Sequence, residues 1–196
     1  SLSLSLGRAR APLLISVYAC WGRGSKRTGA PPQVMRCADE GFDLIRVTVV
    51  GMRDAKACMQ IREKLDARGY STPLCADMHF QPKVALAVAD AVEKIRINPG
   101  NFADGRKTFE EMIYETEEQF FADRDYFVEV FAPLVEKCKE LNRAMRIGTN
   151  HGSLSARVLS FYGDTPRGMV ESAIEFADIC RSLDFHNFVF SMKASN

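Results

Sequence analysis

Five strand-sized runs in this chain carry apolar residues on one face and mostly cationic residues on the other. They are DLIRVTVV (43–50), PLCADMHF (73–80), EKIRINPGN (93–101), NRAMRIGTNHG (142–152) and HNFVFSMKASN (186–196). Side chains alternate across a strand. Ile45, Val47 and Val49 therefore oppose Arg46 and Thr48, and Ile95 and Ile97 oppose Lys94, Arg96 and Asn98. In the last run Phe188, Phe190 and Met192 oppose Asn187, Ser191 and Lys193. A strand sandwiched between two helical layers is close to continuously apolar. These strands are not, so their second face must look onto something polar. As parallel neighbours they would bring Arg46, Arg96, Arg146 and Lys193 together with Asp77 among them. Such a cluster suits a small polyanion.

The segments between the runs have helical character. VMRCADEGF reads as a helix ending at Gly41, 53–68 as a helix ending at Gly69, and further helices are expected over 82–92, 125–141 and 165–183. In 53–68 the residues Ala57, Ile61 and Leu65 recur at four-residue spacing, as on the buried stripe of an amphipathic helix. Strands are expected over 43–50, 73–78, 94–98, 143–148 and 186–192. Strands and helices in alternation imply βα units and a parallel sheet. The expected fold is α/β, an incomplete TIM-type (β/α)8 barrel, because a closed barrel takes about 250 residues. An open doubly wound sheet fits the alternation too, but offers no shared interior for the polar faces.

Composition narrows the ligand. The net charge is +1, which argues against nucleic-acid binding by bulk electrostatics. No run approaches the ~18 apolar residues of a membrane helix. The six cysteines (20, 37, 58, 75, 138 and 180) have neither CxxC nor metal-ligand spacing, so reduced thiols are expected, with no metal site and no disulfide framework. Cys75 shares the face of Asp77 and reads as filling the barrel interior. Residues 1–33 stand apart: they hold no Asp or Glu, five Arg or Lys and five Ser. An organellar transit peptide and non-native sequence both fit that leader, and little stable structure is expected in it. Residues 34–196 are expected to form the partial (β/α) barrel domain. The acidic stretch 109–125 reads as a solvated helical excursion.

Ligand sites of parallel α/β folds lie at the carboxyl ends of the strands. That end holds Asp77, His79, Asn98, Asn150, His151, Ser153 and Lys193. Guanidinium groups bind phosphate in bidentate fashion, and lysine supplies a mobile charge. The amides of Asn98 and Asn150 suit hydroxyls and bridging oxygens. Asp77 either accepts a substrate hydroxyl or orients Arg46 or Arg96. His79 and His151 are candidates for acid–base work, with an ordinary loop role as the alternative for each. In YGDTPRGMVESA (162–173) Thr165 reads as an N-cap and Pro166 as the first helical residue, without a catalytic role.

ADMHF, KIRINPGNFAD, RAMRIGTNHGSLS, YGDTPRGMVESA and HNFVFSMKASN together resemble the barrel domain of the 4-hydroxy-3-methylbut-2-enyl diphosphate synthase (GcpE) family, from about Val34 to Asn196. The acidic stretch and VFAPLVEKCKE resemble its plant and chlamydial subtype. The resemblance implies reductive ring opening of 2-C-methylerythritol 2,4-cyclodiphosphate, with electrons entering from ferredoxin or flavodoxin through a [4Fe–4S] cluster. It implies that the cluster is held by a separate C-terminal domain, that the enzyme works as a homodimer, and that it resides in the plastid stroma or, alternatively, a bacterial cytoplasm. By motif match, Arg46, Arg96, Arg146 and Lys193 correspond to the family's diphosphate-binding cations, and Asp77, Asn98 and Asn150 to its other polar residues at the barrel mouth. No cysteine here matches a cluster ligand, so the chain is expected to hold most of the substrate site, none of the redox centre, and no activity alone. The alternatives are another phosphate-binding barrel enzyme, pteroate-synthase-like, and a non-catalytic binding fragment.

Overall fold

The computed structural model describes residues 14–17, 30–78, 81–104 and 117–194. Six strands appear: β1 (Leu14–Val17), β2 (Leu44–Val49), β3 (Leu74–Met78), β4 (Lys94–Ile97), β5 (Ala144–Asn150) and β6 (Phe188–Lys193). The helices are α1 (Ala30–Asp39), α2 (Met52–Asp66), α3 (Pro82–Val88), α4 (Pro99–Asp104), α5 (Glu117–Glu140), α6 (Ala156–Tyr162) and α7 (Pro166–Ser182). A 3₁₀ turn, His151–Ser153, follows β5.

The strands form one parallel sheet in the order β1-β2-β3-β4-β5-β6. Sequential order with no reversal is the topology of a barrel wall; a doubly wound sheet has a switch point. The partial (β/α)8 barrel expected from the pattern is the fold found, and the open doubly wound alternative is excluded.

The alternation of faces holds through the middle of the sheet. Ile45, Val47, Val49, Leu74, Ala76, Met78, Ile95, Ile97, Met145 and Ile147 are all at most 2% exposed and pack with the helices. From α2 come Ala55, Cys58, Ile61 and Leu65; from α5, Phe131, Leu134 and Val135; from α7, Phe176, Ala177 and Cys180. The spacing that marked 53–68 as amphipathic thus selects the residues that α2 buries. Gly41 and Gly69 end their helices in the left-handed region, at φ 74° and 75°, where a Cβ would be strained. Thr165 caps α7 by accepting from Gly168 N, and Pro166 follows at the first position, as expected.

Three expectations need correction. First, little structure was expected before Val34, yet β1 pairs with β2 over Leu14–Val17, and α1 begins at Ala30. Residues 1–13 and 18–29 lie outside the described residues. Second, residues 99–104 and the stretch after β5 hold helices that apolar spacing did not reveal, namely α4 and α6, whereas the helical reading of the acidic stretch holds where it is described, in the start of α5. α4 and α6 are too short, at 6 and 7 residues, to display a helical period twice. The acidic run reaches the described chain only from Glu117 onward; 105–116 lie outside it. Third, the apolar face of β6 is not buried: Phe190 and Met192 are 43% and 46% exposed. β6 is an edge strand of the described sheet, with β5 as its neighbour, so pattern alone does not provide the covering layer.

Candidate functional site in the barrel interior

The other face of the sheet is polar. Register puts Asp77 beside Arg96 and Arg96 beside Arg146, so three consecutive strands carry charge at one level. One step lower, Arg46, Cys75 and Lys94 form a second row. Arg46 reaches up from it: its Nε lies 3.5 Å from Asp77 Oδ2. Arg96 Nη1 donates to Asp77 Oδ1 at 2.9 Å. Asp77 therefore sits between two guanidinium groups and is only 5% exposed. A carboxylate this buried needs partners, and the two arginines supply them. Its contacts here are ion pairs with both arginines, the geometry of the second of the two roles open to it from sequence.

Arg96 Nη2 donates to the carbonyl oxygen of Gly148 at 3.0 Å. Arg146 Nη2 donates to Ser191 Oγ on β6 at 2.6 Å. The guanidinium groups of β2, β4 and β5 are thus each held by a group on a neighbouring strand.

The mouth of the barrel is made by two turns packed on each other. Asn98 is 4% exposed, and its Nδ2 donates to Ser153 Oγ at 2.7 Å. Asn150 Oδ1 accepts from Gly152 N at 3.3 Å and so closes the 3₁₀ turn. A Cβ at Gly100 would stand 1.9 Å from the carbonyl oxygen of Ser153, so the NPGN turn lies backbone against backbone on the turn after β5. α4 is anchored from behind by Phe102, whose ring meets Phe131 and Phe176 edge-on at 5.6 and 6.2 Å. These contacts place Asn98 and Ser153 as one unit.

Of the residues singled out from sequence, Arg46, Asp77 and Arg96 are joined directly, Arg146 stands beside Arg96 in register, and Asn98, Asn150 and Ser153 form the adjoining rim. Lys193 pairs in register with Asn150 but is exposed. His151 begins the 3₁₀ turn, with Nδ1 3.5 Å from Asp164 Oδ1. His79 lies outside the described residues. Sequence reasoning did not single out Ser191 or the slot at Gly148 as parts of the site. The signal for Gly148 was present: it is a glycine within a strand, on the same face as Arg146 and Asn150.

Cys75 is 2% exposed on the interior face. Burial pushes its thiol up to about 11, against the pull of Lys94, Arg46 and Arg146, so it fills space as a neutral group. Cys58, Cys138 and Cys180 are buried on the helices behind the sheet, and Cys37 is partly buried on α1. Among the described residues no three His, Cys, Asp or Glu side chains are grouped to hold a metal. No described helix is long and apolar enough to cross a membrane.

Comparison with known proteins places the chain in a family. The chain is 60% identical over 169 residues to the chloroplastic ferredoxin-type 4-hydroxy-3-methylbut-2-en-1-yl diphosphate synthase of Arabidopsis thaliana, which covers 86% of this chain and 23% of that protein. It is 58% identical over 164 residues to the flavodoxin-type enzyme of Protochlamydia amoebophila, covering 84% of this chain and 25% of that one. The chain therefore spans about a quarter of the length of these curated relatives. Among solved structures, a truncated 3-deoxy-D-arabino-heptulosonate 7-phosphate synthase from Thermotoga maritima superposes with a TM-score of 0.53 at 13% identity, over 94% of this chain and 54% of that one, which speaks to the fold alone. The family described as the GcpE TIM-barrel domain matches residues 24–196, ten residues earlier than the Val34 boundary expected from motifs, and the chain belongs to that family.

Proposed function

We propose that this chain supplies the substrate-binding barrel of a 4-hydroxy-3-methylbut-2-enyl diphosphate synthase, holding 2-C-methyl-D-erythritol 2,4-cyclodiphosphate for reductive ring opening in isoprenoid biosynthesis. The observation that carries the reading is the Arg46–Asp77–Arg96 cluster, with Arg146 in register beside it. Four interior cations, counting Lys94, face one carboxylate. The surplus positive charge matches a ligand with two linked phosphates. Arg96 and Arg146 bind phosphate oxygens, and Lys193 closes on the ligand from β6 as a mobile charge. Asn98 and Asn150 address the hydroxyls and bridging oxygens. Asp77 holds Arg46 and Arg96 apart and aimed, and Ser153 fixes Asn98. His79 and His151 sit at the same end as candidates for proton transfer.

A [4Fe–4S] cluster would pass the two electrons of the ring opening from the donor to the substrate. The cysteines described here do not fit it: they are scattered over α1, α2, β3, α5 and α7. On this reading the cluster ligands come from outside the described residues. The electron donor is ferredoxin or flavodoxin, as in the names of the plant and chlamydial relatives. The chloroplastic plant relative and the bacterial chlamydial one support a plastid location, with a bacterial cytoplasm as the alternative; the homodimer rests on the family resemblance alone.

Titration of the 196-residue chain with the cyclic diphosphate tests this, using Arg46→Ala, Arg96→Ala, Arg146→Ala and Lys193→Ala alongside Lys139→Ala. Lys139 lies at the opposite end of the barrel, bonded to the Leu183 carbonyl and Asp184. The first four changes should each weaken binding about tenfold or more, and Lys139→Ala should not. Equal losses at all five positions would reduce the effect to net charge and refute the assignment.

A further inference from the structure

We propose that Gly148 is a positioning residue: the missing side chain at this place in β5 creates the slot that holds Arg96 in its binding orientation. The inference rests on the anion-site reading above. Glycine within a strand is unfavourable, because it loses more chain entropy on folding and leaves nothing to pack. Gly148 lies inside β5, between Ile147 and Thr149. Its backbone does not demand glycine, since the described glycines with positive φ are Gly41, Gly69 and Gly163. The demand comes from space. A Cβ at Gly148 would stand 2.3 Å from Arg96 Nε and 3.0 Å from both Cζ and Nη2.

A long side chain would ordinarily swing away from such a contact. Arg96 is tethered at both ends of its guanidinium, by Nη1 to Asp77 and by Nη2 to the Gly148 carbonyl itself. Admitting even a methyl group requires at least one tether to break. Asp77 on β3 and Gly148 on β5 are thus the two walls of one slot, and β4 delivers Arg96 into it. The two tethers use two of the five guanidinium N–H groups and leave the others for a bound phosphate.

A double-mutant cycle on the full chain decides the point. Gly148→Ala, Arg96→Ala and the double variant are titrated with the cyclic diphosphate and, separately, with inorganic pyrophosphate. If Gly148 acts through Arg96, Gly148→Ala weakens binding about tenfold, and in the Arg96→Ala background it adds nothing. Binding unchanged by Gly148→Ala, or fully additive losses, overturns the proposal. A second readout is independent of any ligand. With its two Nη groups held by different partners, Arg96 rotates slowly about Nε–Cζ, so its guanidinium NMR signals are separated in the wild-type chain and merge in Gly148→Ala. If the wild-type chain binds neither anion, the functional reading fails while this NMR comparison still decides the role of Gly148. Should Gly148→Ala not fold, the double variant is the test. Recovery of a cooperative melt on removing the Arg96 side chain supports the slot, and failure to recover overturns it.

Discussion

Asp77 and Arg96 stand directly opposite each other on β3 and β4, joined by a 2.9 Å bond inside the barrel, and Arg46 approaches the same carboxylate from β2. One negative charge thus keeps two positive charges in place. That arrangement allows a cationic interior to persist without ligand, because breaking a buried pair leaves an uncompensated charge.

Asp77→Asn removes the charge and keeps the shape. Two arginines with side chains 20% and 16% exposed then face each other without their shared counter-ion. Stability should fall by about 1–3 kcal/mol, measured by urea unfolding. Pyrophosphate should restore part of the loss, and should raise the melting temperature of the variant more than that of the wild type.

Arg157 and Glu175 form a second buried pair, between α6 and α7. Arg157 is 2% exposed, bonds Glu175 through Nη1 at 2.9 Å and through Nη2 to the other carboxylate oxygen, and lies 5.0 Å from the centre of the Phe127 ring. Arg157→Ala should cost about 3–5 kcal/mol, because Glu175 loses its partner. Arg157→Met combined with Glu175→Leu should regain most of that. Denaturant midpoints of the single and double variants check both statements.

The buried thiols set an alkaline limit. Burial lifts Cys58, Cys138 and Cys180 from 9.0 to about 12, and Cys75 to about 11. The folded chain keeps these protons to higher pH than the unfolded chain, which begins to release them near 9. Their contribution to stability is therefore complete below about pH 9 and is lost as pH rises through about 11 to 12. Unfolding free energy should fall as pH rises from about 9 towards about 11, and Cys138→Ala should flatten the slope. By the same burial, iodoacetamide at neutral pH should reach the partly buried Cys37 before these four.

Much of this site is legible in the sequence because a strand has a period of two. One covered face and one polar face leave a clean alternation, and Arg46, Asp77, Arg96 and Arg146 fall on the polar one. The helices that carry apolar stripes were legible for the same reason. What the pattern could not supply was contact between strands. The bond between Arg146 and Ser191, the packing of Gly100 on Ser153 and the slot at Gly148 each join residues 45 to 53 positions or more apart, through register rather than spacing. β1 escaped notice because four residues, LISV, are too few to display alternation within a basic, serine-rich stretch. β6 misled in the other direction: its alternation is real, but Phe190 and Met192 face outward from an edge strand.

Calorimetric titration of this chain with 2-C-methyl-D-erythritol 2,4-cyclodiphosphate, beside an Arg96→Ala control, tests the central claim most directly. The account predicts saturable binding at one site per chain, lost or weakened at least about tenfold in the control. A chain that melts cooperatively and binds no cyclic diphosphate, or binds it equally well without Arg96, would contradict it.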